Sequence, residues 1–451
     1  MSRLTPNQLL AAISGRWHAQ APLAADEPVA GGFVIDSREA GRGDVFWALE
    51  GEHTHGAKFL AEAFARGAVG AVSEQVPTDV PADKFVIVVP DAVVALGEAA
   101  LGQRRRFAGR VVAVTGSVGK TTTRQLIEQV LGRSFQGTAS RRNHNNHLGV
   151  PLSMLAWSSD DDYAVLELGA SAVGEIRTLA EVAAPHLGVI TGVGEAHLGG
   201  FGSREAIVSA KCELLEGLPG DGLAVLNGDD ARLRRLPLRP GQRTLWVGRG
   251  LENDLVATHI RCAHGQLEFF VDRQPIRVPV WGRHHVVGVL AAMAVGREFG
   301  ASDADIATAL AEFRSPPMRC EVTNVRGAAL INDAYNSNPT AMRAALEVLR
   351  DFDSPGQRIV VCGDMRELGP ESIKLHRTLG DEVVTLCGAD LLVACGEFAE
   401  EVVAGAQAAG MSPTRTIVCR QPEEAGRQVS ERLAAGDVVL VKGSRTTAME
   451  R

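Results

Sequence analysis

The stretch Val111–Gly132, VVAVTGSVGKTTTRQLIEQVLG, sets two glycines and a lysine between an apolar run and a helical pattern. These are the parts of a phosphate cradle. Gly116 and Gly119 let the backbone N–H groups of Ser117, Val118 and their neighbours crowd round an anion. Lys120 adds a point charge and the helix N-terminus adds its dipole. Thr121 offers a hydroxyl to Mg²⁺, and Thr122 continues the first helical turn. The usual pattern G-x-x-x-x-G-K-[ST] fails at its first glycine, because position 114 is Val. The cradle needs N–H groups more than a fixed loop length, so the chemistry survives that loss. The competing reading is a strand-to-helix turn with a surface lysine.

Other residues of chemical interest sit at the ends of apolar runs. Glu167 closes YAVLE, at the strand edge where α/β sites gather, though a loop acid would look the same. His197 follows VITGV, and a lone histidine is more often structural. Lys211 lies among apolar residues of the helical pattern SREAIVSAKCELLEGL, where lysine commonly lays its stem on the surface and its head in water. Asn145 and Asn146 in NHNNHLGVP suit a polar pocket and equally a turn. Asp333, Asn336 and Asn338 lie between the run AALIND and a helix opening at Pro339, where the same residue types cap helices. Arg38, beside Ser37, is a fork suited to a diphosphate. The run GVGEAH begins like G-x-G-x-x-G but ends in His197, so it is no dinucleotide fingerprint, and no N-K-x-D supports a guanine switch.

The elements that must hold these residues are α/β. Short β-branched runs (GGFVID, FVIVVP, VVAVTG, YAVLELG, LGVITGV, LAVLNG, RIVVCGD, LLVACG, DVVLVKG) alternate with Ala/Leu/Glu-rich helical stretches, which predicts largely parallel sheets. Residues 242–281 read instead as an antiparallel excursion. A chain of 451 residues exceeds one ordinary core. Breaks at the arginine cluster 102–110 and at the prolines of 314–320 give units 1–109, 110–317 and 318–451. Only 5 % aromatic residues and a net charge of −8 argue against nucleic acid as a partner. Seven cysteines without a C-x-x-C pair read as reduced core thiols. The chain has no run of 18 apolar residues and no signal-like start, so we expect a cytoplasmic monomer not embedded in a membrane.

Further runs join the loop in a fixed order: RNHNNHLGVPLSML, LELGAS, GEAHLGGFGSREAIVSAKCELLEGL, PMRCEV, INDAYNSNPTAMRAAL and, near the start, VIDSREAGRGDVFWALEG. Together they closely resemble the ATP-dependent Mur ligases of peptidoglycan assembly. AHLGGFGS, DAYNSNP and GDMRELG are similar to the branch that adds D-alanyl-D-alanine to UDP-N-acetylmuramoyl-tripeptide. The resemblance implies a UDP-substrate-binding α/β domain, a central P-loop-type parallel-sheet ATPase domain and a C-terminal Rossmann-like ligase domain. ATP would phosphorylate the terminal carboxylate of the tripeptide, and the dipeptide amine would attack the acyl phosphate.

Two anions must meet in that reaction. At 4 Å and an effective dielectric near 20, each pair of unit charges repels by about 4 kcal/mol. Cations must offset this, and positioning supplies much of the rest. The resemblance assigns the work to Lys120, to two Mg²⁺ ions held by Thr121, Glu167, His197 and Lys211, and to Arg319, reaching the nucleotide from the domain junction. It implies that Lys211 is carbamylated by CO₂, turning a cation into an anionic oxygen ligand. Asn145 and Asn146 would face the acyl phosphate, Asp333 the ribose, and Asn336 and Asn338 the nucleotide and amine-substrate side. Ser37 and Arg38 would meet the uridine diphosphate, and Lys442 and Arg445 the peptides. At one place the chain departs from the family: an H-N-x-x-N run beside adenine is replaced by His284, His285 and Gly288. The D-N-P-R run of a sibling ligase is missing, and intact GKTTT, Glu167, His197 and Lys211 speak against a UDP-sugar-binding protein without catalysis. A plain ATPase would release phosphate regardless of the acyl substrate and dipeptide.

Overall fold

The computed structural model describes residues 4–18, 26–51, 54–141 and 143–451; Arg142, at the head of one motif, lies outside them. Three sheets of mainly parallel strands follow one another along the chain, with a small antiparallel sheet after the second. The first is ordered Arg16–Trp17, Phe85–Val88, Gly70–Ser73, Val45–Ala48, Phe33–Val34, and its outermost Arg16–Trp17 pair is antiparallel. The second is wholly parallel, in the order Leu255–Val256, Arg243–Gly248, Leu223–Asn227, Leu187–Ile190, Arg110–Thr115, Tyr163–Glu167, Gly137–Ala139. In the third, Glu321–Val325 runs antiparallel to Ala328–Asn332, and Val438–Lys442, Arg358–Gly363, Leu391–Cys395 and Thr416–Cys419 continue in parallel.

The central strands are buried on both faces, which is why they read as unbroken apolar runs; Val111, Val112, Ala113 and Val114 are all fully enclosed. The helix Lys120–Gly132 presses Leu126, Ile127 and Val130 against Val289 and Met293 of the helix Val286–Phe299. A Cβ on Gly288 would lie 2.6 Å from Thr123 Oγ1, so these two helices approach too closely at that point for a side chain. At position 288 the departure from H-N-x-x-N thus has a packing reason. Another buried cluster runs from Val111 and Leu166 through Leu198 and Phe201 to Met342, Leu346, Leu368 and Leu379. The third unit is therefore seated on the second by apolar packing.

The predicted antiparallel excursion needs correction. Arg243–Gly248 and Leu255–Val256 extend the parallel sheet, Leu226 lying opposite Trp246, and only Thr258–Ala263, Gln266–Val271 and Gln274–Val278 form an antiparallel meander. The stretch 228–242 is long enough for a crossover, which a parallel neighbour requires, and β-branched composition carries no information about direction. Strands as short as the four-residue Gly70–Ser73 and Thr416–Cys419 offer too few positions to set a pattern and escape sequence reading. The cysteines are free thiols, five of them buried, and no helix among the described residues is long and apolar enough to cross a membrane.

Candidate functional site

The loop between Arg110–Thr115 and Lys120–Gly132 has the shape its sequence foretold. Gly116 and Gly119 adopt φ of +144° and +79°. A Cβ at 116 would also strike Thr191 Oγ1 at 2.1 Å, so that glycine is fixed by space as well as by backbone angle. The loop is braced from behind. Ser117 donates through its N–H to the Gly192 carbonyl (2.9 Å) and through Oγ to the Gly194 carbonyl (3.1 Å), and Thr191 Oγ1 donates to the Val118 carbonyl (2.5 Å). Gly119 begins the helix with no side-chain cap, which leaves first-turn N–H groups facing outward. Lys120 Nζ donates to the Gly116 carbonyl at 2.9 Å. Burial holds the Lys120 pKa below its ordinary value, the Glu167 charge raises it and Arg319 lowers it.

This loop forms the floor of a cleft of about 1400 Å³ that draws its walls from the second and third units. Of the residues singled out in the sequence, Ser117–Thr122, Asn145, Asn146, Glu167, His197, Arg319, Asp333, Asn336, Asn338, Lys442 and Arg445 line it. Gly116 lies beneath the floor. Ser37 and Arg38 lie elsewhere, in the first unit: Ser37 Oγ donates to Glu62 Oε2 (2.9 Å), and exposed Arg38 forks onto Asp36 (2.6 to 3.1 Å).

Glu167 ends its strand with the carboxylate turned into the cleft, its N–H donating to Ser140 Oγ at 3.1 Å. Asn145 Nδ2 donates to Glu167 Oε1 at 2.9 Å, while Oε2 is buried and accepts from no protein group. A buried carboxylate oxygen left bare is costly unless a cation meets it. Asn146 behaves differently: its Oδ1 accepts from Leu148 and Gly149 N–H groups, so it serves the turn.

His197 sits at φ +56° with Nδ1 against the Glu367 carboxylate of the third unit. Burial pushes its pKa down more than Glu367 pulls it up, which favours a neutral ring. Lys211 is not the snorkelling lysine its helix suggested. It is 1 % exposed and does not reach the cleft surface; Nζ donates to the carbonyl of Ala170, which does line the cleft, at 3.3 Å, and lies 5.2 Å from the Phe201 ring centroid. Burial, with Lys120 nearby, lowers its pKa to about 7. Among the described residues no three His, Cys, Asp or Glu side chains gather as a ready metal cage.

The third unit reaches the loop through Arg319, whose Nη2 donates to Thr121 Oγ1 at 3.1 Å and whose guanidinium lies 4.4 Å from the Tyr335 ring centroid. Asp333 and Lys442, expected to face ribose and peptide, hold each other: Nζ donates to Oδ2 at 2.6 Å and to the Asn336 carbonyl at 2.8 Å. Asn338 caps Pro339–Asp351 by accepting from the Ala341 N–H, as the competing reading had it. Arg445 is exposed and paired with Glu450. Sequence reading missed Glu367 and Tyr335 as site residues, although both lie inside runs already noted, GDMRELG and DAYNSNP.

A glycine-built anion loop on a parallel sheet, roofed by a second α/β unit that sends an arginine to it, defines a phosphate-handling α/β enzyme. Family models match along most of this region: the Mur ligase middle domain over residues 114–296, and the Mur ligase glutamate ligase domain over 318–445. UDP-N-acetylmuramoyl-tripeptide–D-alanyl-D-alanine ligase of Bacillus subtilis is 32 % identical over 94 % of this chain and 93 % of its own. The Escherichia coli ligase of the same name is 33 % identical over 92 % and 91 %. Among solved structures, MurF from Acinetobacter baumannii superposes with a TM-score of 0.87 at 32 % identity, covering 100 % of this chain and 98 % of that one. MurF ligase from Thermotoga maritima in complex with ADP gives 0.81 at 30 %, covering 94 % and 96 %. The chain belongs to the Mur ligase family.

Proposed function

We propose that the protein is an ATP-dependent amide ligase that joins D-alanyl-D-alanine to UDP-N-acetylmuramoyl-tripeptide in cytoplasmic peptidoglycan precursor synthesis. Relatives of that name match over nearly the whole chain. The observation that carries the reading is the pairing, in one cleft, of an uncapped glycine loop bearing Lys120 with the bare buried oxygen of Glu167. Units of 1–109, 110–317 and 318–451 would bind the UDP substrate, bind ATP and complete the site.

In the proposed reaction the triphosphate lies on the N–H groups of 118–121, the Ser117 N–H being held by the Gly192 carbonyl. Lys120 leaves the Gly116 carbonyl for the phosphate oxygens, gaining a charged acceptor in place of a neutral one. Arg319 adds a second cation from the opposite wall, and its stacking on Tyr335 limits where the guanidinium can point. Their charges offset the repulsion between the tripeptide carboxylate and the terminal phosphate. Carboxylate oxygen attacks phosphorus and ADP leaves. The neutral dipeptide amine then attacks the acyl carbon, and phosphate departs as the amide forms and the nitrogen loses its proton to phosphate or solvent.

The bare oxygen of Glu167 would hold Mg²⁺, joined by the Thr121 hydroxyl once Arg319 turns from it to the phosphates, and the ion would supply further charge neutralisation there. A second such ion would draw mainly on phosphate and water oxygens, since the described residues hold no carboxylate cage. A carbamate on Lys211 would add anionic oxygen one layer behind the cleft wall, at the Ala170 carbonyl. Carbamate formation requires an uncharged amine, which attacks CO₂ and loses a proton, and a lysine whose pKa falls to about 7 is about half uncharged at neutral pH. Phosphate release measured with ATP, UDP-N-acetylmuramoyl-tripeptide and D-alanyl-D-alanine, omitting each in turn, tests the whole reading. Release should need all three; release that persists without the acyl substrate or the dipeptide would make the protein a simple ATPase.

A further inference from the structure

Arg319 is aimed at the loop from a turn under backbone strain. Met318 and Cys320, its neighbours on either side, adopt φ of +58° and +51°, a left-handed region that residues with side chains rarely enter. A turn of this kind persists where its surroundings over-determine it. The Met318 N–H donates to Glu321 Oε2 at 3.0 Å, and the Met318 carbonyl accepts from the Tyr335 N–H at 3.3 Å. On the other side of Arg319, the Cys320 N–H donates to Asp333 Oδ1 at 3.1 Å. Cys320 is buried, so water does not readily replace that carboxylate if it moves away.

Asp333 is itself clamped. Glu321 lies opposite Asn332 across an antiparallel pair of strands, and Asn332 lies beside Val441 in a parallel pair. Cys320, Asp333 and Lys442, each one residue outside its strand, therefore stand in a row at one edge of the third sheet. Lys442 is almost wholly enclosed, and its Nζ donates to Asp333 Oδ2 (2.6 Å), the Asn336 carbonyl (2.8 Å) and the Asp333 carbonyl (3.4 Å). An ammonium has three protons, so this one has none left for a ligand. Its charge instead fixes the carboxylate that holds the Cys320 N–H.

We propose that Lys442 and Asp333 are positioning residues that act through Arg319. The ammonium holds the carboxylate, the carboxylate holds the Cys320 N–H, and the strained turn so fixed directs the guanidinium across the cleft. At the far end of that line Arg319 Nη2 donates to Thr121 Oγ1 at 3.1 Å, with its face on the Tyr335 ring. A cation that must meet developing charge at one place gains from being held there before the reaction begins. The inference rests on the ligase reading given under Proposed function, in which Arg319 offsets phosphate charge. It gives Lys442 a task other than the peptide contact that the family resemblance implies.

Steady-state kinetics of the full chain with all three substrates, joined to thermal melts, test it through a double-mutant cycle. Lys442→Met keeps the apolar stem and removes the ammonium; kcat should fall roughly 10- to 100-fold, with KM for the UDP substrate and for the dipeptide unchanged. Arg319→Ala should lower kcat by about 10²- to 10³-fold. The combined variant should be no slower than Arg319→Ala alone, because a residue that acts through Arg319 then has nothing left to position. Losses that multiply in the combined variant overturn the inference, since a merely structural role would multiply too. A raised KM for either peptide substrate overturns it by making Lys442 a substrate contact, and wild-type kcat in Lys442→Met overturns it outright. Should the melt show Lys442→Met unfolded by the stranded Asp333 charge, Asp333→Leu with Lys442→Met removes both charges at similar volume and enters the cycle under the same outcomes. Wild type that forms no product from the three substrates overturns the ligase reading and this inference together.

Discussion

The first unit and the central cleft both carry residues of the types that bind anions, but they differ in how much hydrogen-bonding capacity those residues have left. In the first unit Arg38 is already forked onto Asp36, and the Asp36 carboxyl is pulled down to about 2, chiefly by its hydrogen bonds from the Arg38 side chain and backbone. Ser37 is occupied with Glu62. In the cleft, Glu167 keeps a bare oxygen, the helix at Gly119 lacks a side-chain cap, and Lys120 is engaged only by a neutral carbonyl. Charge at a surface costs little to satisfy with a neighbour or water. Capacity left open in a buried place is costly, and it persists where something outside the chain fills it. The cleft therefore announces its ligands, and the first unit does not.

This contrast is most exposed to refutation at the loop. Lys120→Ala removes one preorganised cation from the point where charge builds up, and kcat should fall by about 10²- to 10³-fold with the protein still folded. Steady-state phosphate release together with a thermal melt checks both halves. A kcat within a few-fold of wild type would mean that the capacity seen at the loop is not used in the reaction.

A smaller loss, about 10- to 100-fold, is expected of Lys211→Ala if Lys211 acts on the cleft from one layer behind it. Removing a buried side chain also leaves a hole, so loss of activity alone would not identify its role. Rescue does: formate or acetate entering that hole should restore part of the rate, and a hole-filling apolar molecule of similar size should not. The pH dependence of the wild type has a definite sign. With the pKa lowered to about 7, the amine is uncharged above that pH and open to CO₂; as the pH drops below it, the ammonium form takes over and carbamylation should decline. Activity in CO₂-depleted buffer should therefore fall, recover on adding bicarbonate at pH 8, and recover far less at pH 6. Equal recovery at both pH values would remove the carbamate from the scheme.

What sequence could and could not reveal follows the same line between local and distant partners. The loop was legible because its parts are adjacent: two glycines, a lysine and the helix they precede occupy consecutive positions. The buried strands were legible as apolar runs. The direction of Arg243–Gly248 was not, because strand direction depends on the path of the connection and not on strand composition. His197 was visible but its partner Glu367 was not, since the two meet only after separate sheets fold and Gly199 and Gly369 bring their backbones together. Asp333 and Lys442 each looked like a ligand contact in sequence; folding turns them on each other. Lys211 needed the family resemblance, because a lysine among apolar residues reads as a surface residue until its burial is known.

The first unit should respond least, and there the direction of change matters more than its size. If Arg38 binds the diphosphate of the acyl substrate, it must first release Asp36, so its net contribution is the difference between two ion pairs at an exposed site. Arg38→Ala should therefore raise KM for the UDP substrate only a few-fold and leave kcat and the KM for ATP unchanged. Asp36→Asn gives the opposite sign: it weakens the internal pair, frees the guanidinium and should lower the same KM. Since the Asp36 carboxylate also accepts from the Arg38 N–H, a role that the amide oxygen of the substituted side chain can keep, the local turn should survive the change. Paired kinetics of the two variants with the UDP substrate varied settle the matter by that direction. Movement of both KM values the same way would show that the pair only shapes the turn, and that the diphosphate is held by other groups of the first unit.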